Sequence, residues 1–137
     1  MAEAKKLEVL VVDDDHESYV PRFRRAFNGR VEFTPAGNAG AALRLAHDHK
    51  YDAVVLDHDP PINGYQTAFK IKATTDNELI IGFSEKWEAE EARELGLYYF
   101  SGVEANIAQI IAKLLKMDRQ TYEREVKPHF DSNGKVQ

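Results

Sequence analysis

LEVLVVDDD, residues 7–15, is apolar over its first six positions except for Glu8 and then breaks on three consecutive carboxylates. A half-solvated strand alternates apolar and polar residues, whereas a strand covered on both faces is apolar nearly throughout. LEVLVV is of the second kind. It predicts a sheet with helices on both sides, and it puts Asp13, Asp14 and Asp15 where a buried strand reaches water. Working outward, the same pattern returns in YDAVVLD (51–57), which ends on Asp57 with His58 and Asp59 beside it, and in ELIIGFS (78–84), which ends on Ser84. RVEFTPA (30–36) adds a strand whose Pro35 marks an edge or an end, and LYYFS (97–101) a short fifth one.

Helical patterns separate these strands. HESYVPRFRRAFNG sets Tyr19, Phe23, Ala26 and Phe27 at helical spacing, with Pro21 in the first turn and Asn28-Gly29 as the stop. GNAGAALRLAHDHK carries Ala42, Leu43 and Ala46 on one face, and YQTAFKIKATT is a weaker helix. KWEAEEARELG (86–96) is a charged helix that ends at Gly96; Trp87 either starts its packed face with Ala92 and Leu95, the favoured reading, or is an exposed aromatic of a partner surface. EANIAQIIAKLLKM repeats Ile107, Ile110, Ile111, Leu114 and Leu115 at i, i+3, i+4, i+7 and i+8, a stripe expected to cover the sheet. Five strands alternating with five helices predict one open, mostly parallel, doubly wound α/β domain. The expected organisation is a lead over 1–6, the domain over 7–117 and an extension over 118–137. Within that extension RQTYEREV can lengthen the last helix by two turns, and DSNGKVQ reads as disordered.

The bulk properties narrow the function. A chain of 137 residues with 43% hydrophobic and 30% charged residues is an ordinary soluble domain. A net charge of −5 gives no basic footprint for nucleic acid. No apolar run approaches the roughly 20 residues that span a bilayer, and MAEAKKLEVLVVDDD lacks a signal-peptide pattern. The absence of cysteine excludes disulfides and thiolate metal sites and fits a cytoplasmic protein.

In an open α/β sheet, the loops after the strands share one face, and ligands bind where strand order reverses. Strand one delivers Asp13, Asp14 and Asp15 there, strand three Asp57 and Asp59, and strand four the hydroxyl of Ser84. If strands one and three are neighbours, these acids converge and repel unless a cation or proton relieves them. A small set of hard oxygen donors suits Mg²⁺, which keeps several waters and accepts one or two carboxylates plus a phosphate. Asp57 is then placed to act as a nucleophile beside a metal. His16 and His58 offer a transition-metal alternative. However, His58 follows Asp57 directly and so points to the opposite face of the strand, and both histidines are expected at the rim.

Over roughly residues 7–117 the sequence resembles the response-regulator receiver domains of two-component signalling. VLVVDDD resembles the family's first-strand acidic signature, AVVLDHDPPINGY its phosphoacceptor strand and turn, TPAGNAGAALRLA its second-strand-to-helix passage, and IIGFS its fourth strand ending in Ser or Thr. The 43 residues from Asp14 to Asp57 suit that pattern. The resemblance implies a flavodoxin-like five-stranded parallel sheet in the order 2-1-3-4-5. It implies that Asp57 accepts a phosphoryl group and that Asp13 and Asp14 hold Mg²⁺ with Asp57. It also implies that Asp59 lends the metal its backbone carbonyl and that Ser84 hydrogen-bonds the phosphoryl group.

The implied partners are a histidine kinase or phosphotransfer protein as donor and a downstream protein as target, with the chain a monomer or weak homodimer. The sequence departs from the family at strand five, where YYFSGVEAN has no lysine and no proline; Lys86 and Lys113 are the nearest alternatives. The aromatic usually coupled to the Ser/Thr falls on Tyr99 or Phe100. The departure makes a degenerate pseudo-receiver, an unphosphorylated interaction module, the second reading. LDHD also resembles the Asp-x-Asp motif of haloacid-dehalogenase-like phosphatases, although there it lies on an early strand of a larger core.

Overall fold

Strand β1 (Leu7–Val12) is the hub of the molecule, and its side chains alternate between two separate apolar cores. The computed structural model describes residues 6–58, 62–77, 79–83, 88–100 and 104–130. Around β1 lie β2 (Val31–Ala36), β3 (Ala53–Leu56), β4 (Ile80–Phe83) and β5 (Tyr98–Phe100), all parallel, in the order β2-β1-β3-β4-β5. The expected five-stranded order is therefore the observed one. Pro35 lies on β2, an edge strand, where a missing N–H is tolerated.

Five helices fill the connections: α1 (Val20–Phe27), α2 (Ala39–Asp48), α3 (Gly64–Thr74), α4 (Ala89–Glu94) and α5 (Glu104–Leu114). Pro21 sits in the first turn of α1, and Asn28 closes that helix in the left-handed conformation at φ 44°, followed by Gly29 at φ 82°. Asn38 and Asn63 cap α2 and α3 by accepting from Ala41 N at 2.8 Å and Gln66 N at 3.1 Å. Gly96, at φ 72°, ends the α4 turn where a side chain would be strained.

Alternation along the strands sorts the core. Val9 and Val11 of β1, Ala53 and Val55 of β3 and Ile81 of β4 pack with Phe23 and Phe27 of α1 and with Ile107 and Ile111 of α5. Leu10, Val12, Val54, Leu56 and Ile80 face the other way, against Ala42 and Ala46 of α2, Ala68 and Ile71 of α3 and Ala92 of α4. The α5 stripe thus covers the sheet as its spacing predicts. Among the described residues no helix is long and apolar enough to cross a membrane.

The end of the chain differs from its expected form. Instead of lengthening α5, the backbone breaks at Lys116, which takes a left-handed φ of 56°. Met117 N then bonds Ala112 O at 3.0 Å, a hydrogen-bonded helix stop with lysine where glycine is usual. Asp118 caps a new helix, α6 (Arg119–Thr121), by accepting from Thr121 N at 2.8 Å. It runs on as a π-turn (Tyr122–Val126) and a 3₁₀ turn (Lys127–His129). The segment folds back over α1: Val126 is fully buried, the Phe130 and Phe23 rings lie 4.9 Å apart, and Arg30 pairs with Glu125 at 2.8 Å. Residues 131–137 lie outside the described residues.

Candidate functional site

The strand order fixes where the acids meet. The chain leaves β1 for β2 on one side and then crosses back to β3 on the other, so β1 and β3 flank the point of reversal. Their register pairs Val12 with Leu56, which sets the next residues, Asp13 and Asp57, side by side. Asp57 N donates to Val12 O at 2.9 Å and Asp13 N to Ala36 O at 3.0 Å, so both backbones are held as the strands end. Ligand oxygens of Asp13, Asp14 and Asp57 all lie within 4.8 Å of one another. Asp13 and Asp57 are buried, whereas Asp14 is exposed and opens the cluster to solvent.

Asp13 is held on both oxygens. Oδ1 accepts from Asp15 N at 2.8 Å, and Oδ2 accepts from the Tyr19 hydroxyl at 2.9 Å. The short 3₁₀ turn His16–Ser18 makes the second bond possible, because it carries the chain back over the strand end before α1 begins. Burial pushes the Asp13 carboxyl above its ordinary pKa; the two hydrogen bonds oppose the shift, and the charges of Asp14 and Asp15 add to it. Two buried carboxylates beside a third form a donor set that could hold a divalent cation. The donors are all carboxylate oxygens, which suits Mg²⁺ rather than a nitrogen- or sulfur-seeking metal.

Among the described residues, the group close enough to hold a metal contains the three aspartates and neither His16 nor His58. His58 contacts the start of α3. Its Nδ1 accepts from Gly64 N at 2.8 Å, and its ring lies edge-on to Tyr65 with centroids 4.2 Å apart. The Tyr65 hydroxyl in turn accepts from Glu88 N at 2.7 Å. One side chain, Tyr65, thus links His58 to the start of α4.

Ser84 and Asp59, singled out from the sequence, lie outside the described residues, as do Lys86 and Trp87. Lys113 sits in the last turn of α5, nine residues and roughly 13 Å along the helix from Glu104. There it lines a groove of about 490 Å³ with Met117, Arg119 and Tyr122.

Sequence reasoning missed two side chains. Tyr19 and Tyr65 show in the sequence only as aromatic helix positions, and helical spacing reveals which residues face inward but not what a hydroxyl at the rim will meet.

No protein-family model matches the sequence. Over 96 residues, 64% of the chain, it is 33% identical to the virulence sensor protein BvgS of Bordetella bronchiseptica and of Bordetella parapertussis. The chain spans only 8% of the length of those relatives. Among solved structures, it matches the signal receiver domain of a DNA-binding response regulator from Colwellia psychrerythraea with a TM-score of 0.69 at 22% identity, covering 82% of this chain and 100% of that one. The receiver domain of a sensor histidine kinase from Pseudomonas aeruginosa, determined with magnesium in its active-site cleft, matches with a TM-score of 0.65 at 21% identity, over 80% and 97% of the two chains. The chemotaxis protein CheY4 of Vibrio cholerae matches with a TM-score of 0.65 at 17% identity, over 83% and 100%. The chain has the fold of the response-regulator receiver domains.

Proposed function

We propose that this chain, built on the receiver fold, is a phosphoacceptor module of two-component or phosphorelay signalling. One observation carries the reading: Asp13, Asp14 and Asp57 converge at the point where the strand order reverses. In the proposed reaction a carboxylate oxygen of Asp57 attacks the phosphorus of a phosphohistidine on a histidine kinase or phosphotransfer protein. The phosphorus–nitrogen bond breaks, the imidazole leaves with the electron pair and takes up a proton, and Asp57 becomes an acyl phosphate. Bound Mg²⁺ supplies charge neutralisation on the transferring oxygens, the main need of a reaction governed by alignment and electrostatics.

Asp13 and Asp14 would hold that ion with Asp57, and the Asp59 carbonyl would complete the protein ligands. Ser84 would donate to a phosphoryl oxygen and follow it on activation. Signalling would then pass by protein contact to a downstream target. The acidic net charge of −5 argues against direct nucleic-acid binding. We place the module in the cytoplasm, as a monomer or weak homodimer, with 7–117 as its receiver unit and the turns of 118–130 as an extension of it.

YYFSGVEAN (98–106) contains no lysine, and that feature favours a second reading, an interaction module that is not phosphorylated in service. Incubation of the chain with Mg²⁺ and a small acyl-phosphate donor, or with beryllofluoride, separates the two. A phosphoryl mass increase that disappears in Asp57→Asn supports phosphoacceptance. No adduct with either reagent supports the interaction module. Steady turnover of a phosphate ester would instead point to a phosphatase.

A further inference from the structure

We propose that Tyr19 is a positioning residue of the acidic site, fixing the Asp13 carboxylate for the cation and linking it to the end of β4. The inference rests on the cation-binding reading above. Tyr19 is 5% exposed, and its hydroxyl donates to Asp13 Oδ2 at 2.9 Å. Asp15 N already occupies Oδ1 at 2.8 Å. Together the two donors fix the rotation of the carboxylate, an oxygen of which lies within 4.8 Å of those of Asp14 and Asp57. A metal-ligating carboxylate is generally held by an outer partner of this kind, whose loss weakens the site without removing a ligand.

The ring of Tyr19 makes the second half of the link. It meets the Phe83 ring edge-on, with centroids 5.4 Å apart and planes at 62°, and the Phe23 ring of α1 at 6.0 Å and 76°. Phe83 is the last residue of β4 and directly precedes Ser84 in the sequence. Any shift of Asp13 when its charge is neutralised is therefore passed through one rigid side chain to Phe83, the last residue of β4. Interiors are close-packed, so a ring wedged between two others moves with them rather than yielding.

The variant that tests this is Tyr19→Phe in the full chain, which keeps the ring and removes only the hydroxyl. Mg²⁺ affinity is measured by calorimetry, together with the NMR signals of the Phe83 ring during the titration. The expected result is affinity about tenfold weaker than wild type, with a smaller Mg²⁺-induced shift at Phe83. If Tyr19→Phe is merely less stable, with Mg²⁺ affinity and the Phe83 response unchanged, the hydroxyl only satisfies a buried acid and the proposal fails. If the wild-type chain itself binds no Mg²⁺, the cation-site reading fails and this inference falls with it. A fully folded variant is not essential to the test. In wild-type protein the ring carbon bearing the Tyr19 hydroxyl should shift as Mg²⁺ binds Asp13, and a silent signal there in a chain that does bind Mg²⁺ overturns the proposal.

Discussion

At Asp13, burial raises the carboxyl pKa above the ordinary 3.8; the bonds from Asp15 N and the Tyr19 hydroxyl pull against it, and the charges of Asp14 and Asp15 reinforce it. The sign of the linkage follows. The folded chain binds this proton more tightly than the unfolded chain, so the contribution to stability is full below about 3.8 and is lost as pH rises through the folded value. At neutral pH without divalent cations the Asp13 charge therefore opposes folding. Asp13→Asn should unfold at a higher temperature than wild type in chelator at pH 7, and the gap should close near pH 4 as the wild-type carboxyl protonates. Thermal melts at the two pH values check both halves, and a lower midpoint for the variant at pH 7 contradicts the account. Asn77 is the opposite kind of buried polar group, because its hydrogen-bonding capacity is used. It is 2% exposed, accepts from Tyr51 N, and donates to Ala46 O at 2.9 Å and to His49 O at 3.3 Å, tying the end of α2 to the entry of β3. Asn77→Ala strands those backbone groups and should cost about 2 kcal/mol by urea unfolding.

The helix stop at Lys116 is a local cost that the following segment requires. A lysine at φ 56° sits where only glycine is at ease, while the backbone bond from Met117 to Ala112 depends on that conformation. Lys116→Gly should therefore raise stability by about 0.5–1 kcal/mol in urea unfolding, although most substitutions to glycine destabilise. The turns beyond it are anchored through Val126, which is fully buried in the core that α1 and α5 share. Val126→Ala removes two buried methyl groups and should cost about 2 kcal/mol. A null effect would mean that these turns do not pack on α1 in solution. The same elements separate what the sequence makes legible from what it hides. β1 and β3 are legible because unbroken apolar runs have no stable place except between two helical layers. Pro35 correctly marks an edge, and Asn28-Gly29 a stop. The break after α5 is hidden because no glycine or proline announces it, although Asp118 and Thr121 spell a capping pair that could have located the new helix. The convergence of Asp13 with Asp57 is legible once β1 and β3 are neighbours. The hydroxyl contacts of Tyr19 and Tyr65 are not, because they depend on the path of loops that carry no periodicity.

Across the whole molecule, the charge at one end of the sheet is set against two apolar cores that share β1. Side chains of β1 and β3 fill both cores, and the acids of Asp13, Asp14 and Asp57 gather at the ends of these strands, so crowding of negative charge there acts on the seam between the two central strands rather than on a loose surface. Neutralising it should stabilise the fold globally, not only the loops. A cation that binds only the folded chain adds RT ln(1 + [L]/Kd), about 1.4 kcal/mol at ten times Kd. For a chain of 137 residues that corresponds to roughly 5 °C in melting midpoint. Mg²⁺ should therefore raise the midpoint by about this amount over chelator, and hydrogen exchange should slow along β1 and β3 together. The double variant Asp13→Asn/Asp57→Asn should lose the response while folding normally, because it removes the repulsion along with the ligands. Simple ionic strength gives the control. Screening by salt acts over about 8–10 Å at 0.10–0.15 M and reaches buried pairs poorly, so NaCl at matched ionic strength should leave the midpoint nearly unchanged. If NaCl reproduces the effect of Mg²⁺, the stabilisation comes from screening of the acidic surface at large, and the acids at the seam do not form a cation site.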